Sequence, residues 1–376
     1  MPAAHAARVA LPSGGPSGLG WSRMSRLEPY LPILVVLLAL IGFVTLSSAV
    51  TEPQDLTRQG VYFVVGLVGC VAMFWVGGQR LDRLSLPLYL VTLVLLVVVL
   101  AVGEEINGAK RWLQVGPVRL QPSELAKVAV IMVLGRFLSA PPSRGVLGYL
   151  GTGAIVGVPF LLVLLGPDLG SALVIAAIGA GMLFVRGIPT RLIVAALAVV
   201  AVTVPLVVPQ LAPHQQARIT AFLNPDSDPQ GAGYQVVQAR IAIGSGGLTG
   251  KGYKQGTQTQ FDFIPFKHTD FIFPVLAEEM GFVGSVFMLA VFSLLFWRLA
   301  VMAMECPRPR DQLVIAGILA YLGFQTLVNV GVALGLAPVT GLTLPIVSYG
   351  GTNLVVTLGV LGMAMLVHRD RFRGFT

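Results

Sequence analysis

The chain has 376 residues, is 55% hydrophobic and only 11% charged, with a mean hydropathy of +0.82. That composition excludes a soluble domain with a large core and predicts an all-α integral membrane protein. The net charge of +8 does not argue for nucleic acid, because the arginines fall in short loops between apolar runs, as membrane topology requires.

Residues 1–27 are rich in Ala, Gly, Pro and Ser, with Arg8, Arg23 and Arg26. They read as a disordered cytoplasmic tail with no signal-peptide core, and Met24 would serve equally as a start. Apolar runs of spanning length follow near 30–50, 59–77, 84–102, 122–139, 148–166, 170–186, 190–209, 271–298, 312–336 and 344–368. This predicts about ten transmembrane helices in a single domain over 28–368. A large extracytoplasmic loop, 211–269, lies between helices 7 and 8, and a short cytoplasmic tail follows at 369–376. One set of loops carries Arg80, Arg83, Arg136, Arg144, Arg186, Arg191, Arg298, Arg308 and Arg310. By the positive-inside rule that side and both termini are cytoplasmic. The five lysines, Lys110, Lys127, Lys251, Lys254 and Lys267, fall on the other side, which points to an outward polar site. Cys70 and Cys306 fall far apart in this topology, so no disulfide is expected. The four histidines have no metal-ligand spacing.

Two outer loops exceed what a connection needs. The first contains Asn107–Leu113; within the second, Arg218–Pro225 and Gly233–Ile243 mix apolar and polar residues at roughly helical spacing, which predicts short interfacial helices. The stretch Gly244–Gly252 is glycine-rich but lacks the residues of a Walker A motif and reads as a flexible turn, with a backbone anion nest the weaker alternative.

Several polar residues stand where a bilayer would not choose them. Glu124 and Lys127 open the fourth span, three apart on one face; a structural ion pair and a substrate role have equal claim. Asp168, in Gly166-Pro167-Asp168-Leu169-Gly170, fits a tight turn. Gln325 and Asn329 suit interhelical hydrogen bonds. Pro345–Asn353 breaks the last span, as happens where backbone lines a cavity or is buried in protein. Finally, His268-Thr269-Asp270 meets an apolar helix carrying Glu278 and Glu279. Each carboxylate there needs a reason, and a helix cap alone does not account for Asp270.

Asn107–Trp112, Gln121–Lys127, Gly166–Gly170, Tyr234–Gly252, His268–Gly281 and Leu344–Gly351 together resemble the SEDS family (shape, elongation, division and sporulation proteins), in the same order and over nearly all of the chain after residue 28. Gly256–Gln260, Phe263-Ile264-Pro265 and His268-Thr269-Asp270 resemble its elongation members more than its division members. The chain has Gly350-Gly351-Thr352-Asn353 where the family usually ends in two serines. The resemblance implies a peptidoglycan glycosyltransferase of the bacterial inner membrane that polymerises lipid II on the outer face during cell elongation. It also implies a class B penicillin-binding protein and other elongation-machinery membrane proteins as partners. Chemically, the acceptor hydroxyl must lose a proton, which a carboxylate near the sugar can take. Asp270 matches the family's catalytic Asp. The departing pyrophosphate needs Lys, Arg or a divalent cation, Mg or Mn. Lys110, Arg111, Lys127, Arg218 and Arg240 are its candidate ligands; Glu124, His268 and Ser348 complete the substrate-binding set. Whether Asp270 is a base or a metal ligand stays open at this point. A lipid II flippase and a non-catalytic scaffold of the wall machinery are the alternatives.

Overall fold

The computed structural model describes residues 28–106, 109–116, 118–140, 145–192, 194, 198, 213–224 and 231–372. The expected tail 1–27, most of the expected span 190–209 and the last four residues lie outside them. Among the described residues, eight helices are long and apolar enough to cross a membrane. They are α1 (Tyr30–Ala49), α2 (Pro53–Val76), α3 (Gly78–Val102), α5 (Val146–Leu165), α6 (Leu169–Arg186), α10 (Ile272–Glu305), α11 (Pro309–Ala333) and α12 (Gly351–Arg369). A further long helix, α4 (Pro122–Ser139), carries Glu124, Lys127 and Arg136. Proline opens α2, α4 and α11 at a position where its missing N–H costs nothing.

The helices sort into an inner and an outer set. α4 packs against α3, α6 and α11, and Ala129, Val130, Ile131 and Leu134 are fully buried. Because protein surrounds it, α4 tolerates charges that lipid would reject. α2 faces outward with Val61, Val64, Val68 and Trp75 exposed, as expected of a lipid-facing surface. Its other face lies very close to α12. A side chain at Gly66 would stand 2.6 Å from Leu358, and one at Gly362 would stand 2.8 Å from the Cys70 backbone. Small residues are what allow membrane helices this approach.

The first long outer loop holds a small sheet. Its described residues form three antiparallel strands, β1 (Glu104–Ile106), β2 (Ala109–Val115) and β3 (Val118–Leu120), in the order β1-β2-β3. In the sequence, the dipeptide Asn107-Gly108 between β1 and β2 is a strong hairpin signal. The two segments of the second outer loop are helical as expected: α7 (Pro213–Leu223) and α8 (Ala232–Ser245).

The glycine-rich stretch 244–252 is neither a free turn nor an anion nest. α10 breaks at Gly281, which has φ +67°, and the glycine loop docks into the break. Phe282 N donates to Gly247 O and Val283 N to Leu248 O, while Lys251 N and Gly252 N donate to Glu278 O and Glu279 O. The break thus regains its backbone partners, which a membrane helix cannot leave unmet. A Cβ at Gly250 would sit 2.1 Å from Glu279 O, so no other residue fits there.

The broken stretch before α12 is buried irregular backbone. Leu344, Val347 and Ser348 have almost no exposed surface. Its polar groups are met by side chains from the surrounding helices. Gln325 Nε2 donates to Thr343 O, Asn329 Nδ2 to Leu342 O, and Gln59 Nε2 to Ser348 O. Gly350 N donates back to Gln59 Oε1. Intramembrane Gln and Asn residues are thereby explained by the backbone they satisfy.

Candidate active site

A short four-residue helix, α9 (Thr257–Gln260), leads toward the His268-Thr269-Asp270 segment just ahead of α10. This segment is stapled carbonyl by carbonyl. His268 O accepts from Tyr349 N at 2.8 Å, Thr269 O from Ser348 Oγ at 2.6 Å, and Asp270 O from Asn329 Nδ2 at 2.8 Å. The buried irregular stretch and α11 therefore hold the backbone, and the side chain of Asp270 is placed by a frame rather than by its own contacts.

Around the Asp270 carboxylate stand Arg218 from α7, Arg111 from β2 and Asp168 from the turn into α6. A Cβ at Gly341 would be 3.8 Å from Asp270 Oδ2 and 3.8 Å from Arg111 Nη1, so both groups close on the same glycine. Gly341 has φ +76°. Asp270 keeps part of its surface open, yet it is crowded by protein. Burial raises its pKa from 3.8 to about 6 against the opposing pull of Arg218 and Arg111. Burial, and then the nearby Arg111, lower the pKa of Arg218. His268 is half-buried, with its ring edge-on to Tyr349 at 5.9 Å; burial lowers its pKa.

Asp168 has more than a turn role. Its Oδ1 accepts from Ser171 N at 3.1 Å, capping α6, and its Oδ2 accepts from Gln121 at 3.2 Å. It also stands 3.8 Å from Arg111 Nη1. The Gly-Pro-Asp motif carried the turn but not the ion pair, because Arg111 is far off in sequence. Lys110 is exposed beside Arg111 on β2. Lys110 and Arg111 line a narrow crevice with Ser123 and Asp168.

Other candidates lie apart from this cluster. Lys127 is fully buried, 2.7 Å from Glu124 Oε1 and 3.5 Å from Gln325 Oε1. Glu124 Oε2 accepts from Tyr321 and from Asn353 at 3.2 and 3.0 Å, so Asn353 joins this network in its own right. Gln325 then links the network to Thr343 in the irregular stretch. Arg240 ties α8 to the end of α11 by donating to Leu334 O at 3.1 Å. The Ser348 hydroxyl accepts from Leu344 N as well as donating to Thr269 O, which leaves it little capacity for a ligand. Glu278 is not a site carboxylate either. It accepts from Lys251 at 2.7 Å, from the amides of Gln258 and Thr259, and from the Thr259 hydroxyl. Glu279 pairs with Ser48 and Gln260.

Asn329 supplies a test of the frame. Asn329→Ala deletes the donor to both Asp270 O and Leu342 O, leaving two carbonyls without it. The expected result is a lower unfolding temperature in detergent, since each buried carbonyl left unmet costs about 1–3 kcal/mol. An unfolding temperature equal to the parent's would show that the segment needs no such support.

Comparison with known proteins follows the same geometry. A family model for FtsW, RodA and SpoVE, described as cell cycle protein, matches residues 28–372. The peptidoglycan glycosyltransferase MrdB of Escherichia coli (strain K12) is 39% identical over 358 residues, covering 93% of this chain and 95% of that protein. Stage V sporulation protein E of Bacillus subtilis (strain 168) is 36% identical over 359 residues, covering 90% and 96%. Among solved structures, a chain of a peptidoglycan synthase complex that coordinates polymerization and crosslinking superposes with a TM-score of 0.82 at 43% identity, covering 92% of this chain and 99% of that one. The rod shape determining protein RodA of Thermus thermophilus superposes with a TM-score of 0.73 at 38% identity, covering 95% and 99%.

Proposed function

The chain belongs to the family of FtsW, RodA and SpoVE, and from that premise we propose that it is a peptidoglycan glycosyltransferase in which Asp270 is the general base. The observation that carries the assignment is the meeting of Asp270 with two arginines in a frame that fixes its backbone. Lipid II serves as donor and acceptor. An acceptor sugar hydroxyl attacks the donor's anomeric carbon, its proton passes to Asp270, and the C–O bond to pyrophosphate breaks in one inverting displacement. A carboxyl titrating at about 6 is ionised at neutral pH yet basic enough to help, which is the compromise that general-base catalysis favours. Arg111 and Arg218 take the charge that builds on the departing pyrophosphate, with Lys110 beside them. Lys127 with Glu124, Arg240 and Ser348 serve the substrate by holding the frame.

Among the described residues no three His, Cys, Asp or Glu side chains converge on a metal position. Asp270 and Asp168 are the two carboxylates that would contribute oxygens to a Mg or Mn ion carried in by a pyrophosphate, the manner in which such ions commonly bind.

The site faces outward across the bacterial inner membrane, with a class B penicillin-binding protein cross-linking the product. The solved peptidoglycan synthase complex is the support for that pairing. Topology is tested by impermeant thiol labelling in intact cells after Cys70 and Cys306 are replaced. A cysteine at exposed Gln255 should label and one at exposed Pro307 should not. The reverse would put Asp270 inside and end the polymerase reading. Activity itself is tested with purified protein and lipid II: glycan ladders are expected, whereas lipid transfer between leaflets without polymer would favour a flippase.

A further inference from the structure

A cavity of about 240 Å³ lies between α7, α8 and the segment that follows α11. Phe222 comes from α7, Val236 and Arg240 from α8, and Gly335, Ala337 and Val339 from the segment after α11. Two of its walls run on into the active site. Arg218, which stands by Asp270, precedes Phe222 by four residues, about 6 Å along the same face of α7. Val339 precedes Gly341, which faces the Asp270 carboxylate, by two residues, a reach of about 7 Å. Val236 and Val339 also share one small core with Phe271, the residue after Asp270. The cavity is thus fixed in place beside the reacting groups.

Its lining says what it can hold. With 11 and 14 residues, α7 and α8 are too short to span, so the cavity stands outside the hydrocarbon and an isoprenoid tail is excluded. Its one cation is Arg240. The guanidinium rests on Gly335, where a Cβ would come within 2.6 Å of Nε. Among the described residues its one hydrogen bond runs from Nε to Leu334 O at 3.1 Å, which leaves two Nη groups to meet an anion. A single guanidinium matches a single carboxylate by two parallel hydrogen bonds. A pyrophosphate carries more charge than that and already has Arg111 and Arg218. A sugar ring calls for several hydrogen-bonding side chains, and Phe222, Val236, Ala337 and Val339 supply none. What fits is a chain end with small apolar side chains and one carboxylate.

We propose that this cavity binds the stem peptide of lipid II by its D-alanyl-D-alanine end, with the terminal carboxylate on Arg240 and the methyl groups against Val236, Ala337 and Val339. The proposal rests on the polymerase reading for the identity of the peptide. An extended pentapeptide reaches about 17 Å, more than the length of either wall back to Asp270, so a stem can enter the cavity while its sugar lies at the carboxylate. Arg240 then has a ligand as well as its tie between α8 and the end of α11.

The test uses the purified full chain in detergent and two readouts. Fluorescence polarisation reports binding of a labelled soluble peptide ending in D-alanyl-D-alanine, and of the same peptide ending in an amide. The parent should bind the carboxylate form about tenfold more tightly. Arg240→Gln should erase that preference, and Ala337→Phe, which fills the cavity, should weaken the carboxylate form by a similar factor. The second readout is polymerisation of lipid II whose stem ends in a carboxylate or in an amide. In the parent, KM should be about tenfold lower for the carboxylate stem; in Arg240→Gln the two values should coincide, with kcat nearly unchanged. A purely structural Arg240 would raise both KM values alike, and a ratio that survives Arg240→Gln would overturn the subsite. So would a parent that polymerises both stems with one KM and binds both peptides equally, a result that leaves the polymerase standing. A parent that prefers the carboxylate peptide through Arg240, yet forms no polymer, would sustain the subsite and sink the polymerase.

Discussion

Asp270→Asn is expected to lose polymerisation by about 100- to 10,000-fold, the usual worth of a positioned general base, while gaining stability. Asparagine keeps the shape of the carboxyl and the backbone bond from Asn329, but it cannot take a proton. The stability gain follows from the raised pKa. Asp270 titrates at about 6 in the folded chain against 3.8 ordinarily. Its favourable contribution is thus full below the ordinary pKa and is lost as pH rises through about 6, where the ionised form is penalised. Removing the charge should add on the order of 1–2 kcal/mol at neutral pH, a figure reduced for solvent on the open side of the carboxylate. At pH 4 parent and variant should melt nearly together. Thermal unfolding in detergent at the two pH values, beside the polymer assay, reads both halves. A variant that is inactive and also less stable at neutral pH would indicate a structural carboxylate instead.

Lys127→Met is expected to cost more stability than Lys251→Met. It would strand Glu124, which is almost wholly buried, with only the Tyr321 hydroxyl and the Asn353 amide for company. Breaking a buried pair from one side typically costs about 3–5 kcal/mol. The double replacement of Lys127 by Met and Glu124 by Leu should recover much of that loss, because no charge is then buried. Lys251→Met makes the contrast. Glu278 would keep two backbone amides and the Thr259 hydroxyl, and Lys251 is itself partly exposed, so the loss should be smaller. Activity in the Lys127 variant should fall as well, because Gln325 passes the displacement on to Thr343 near the stapled segment. Equal, small shifts in the two lysine variants would contradict the brace.

Much of this was legible in the residues themselves. Runs of apolar residues announced the spans, and the Glu124/Lys127 spacing announced their pairing on one helical face. Asp270 stood out because a carboxylate at a membrane border needs a reason. What was not legible depended on contacts between segments distant in the chain. Asp168 looked like a turn residue because its second partner, Arg111, lies on another element. Arg240 reads as a candidate phosphate ligand, and nothing local shows that its Nε donates to Leu334 O. Gln59 carries no local signal, although it satisfies backbone on both sides of Tyr349. Residues 244–252 carried the composition of a free loop. Their docking follows from the Gly281 break, and a pattern of glycines does not say which backbone will fill which gap. The sheet at 104–120 has one local signal, the Asn107-Gly108 dipeptide, which favours a hairpin turn.

If the Asp270 carboxyl, its pKa raised to about 6 by burial, takes the acceptor's proton, the rate must follow its ionisation. The most direct measurement is the pH dependence of initial polymerisation rate for the purified chain at saturating lipid II. A His268→Gln variant serves as control, because that ring also titrates in this range. The expected rate climbs about tenfold per pH unit below about 6 and levels above it, in the parent and in the His268 variant alike. A rate flat from pH 5 to 8 in the parent, or an acid limb that disappears with His268, would contradict it.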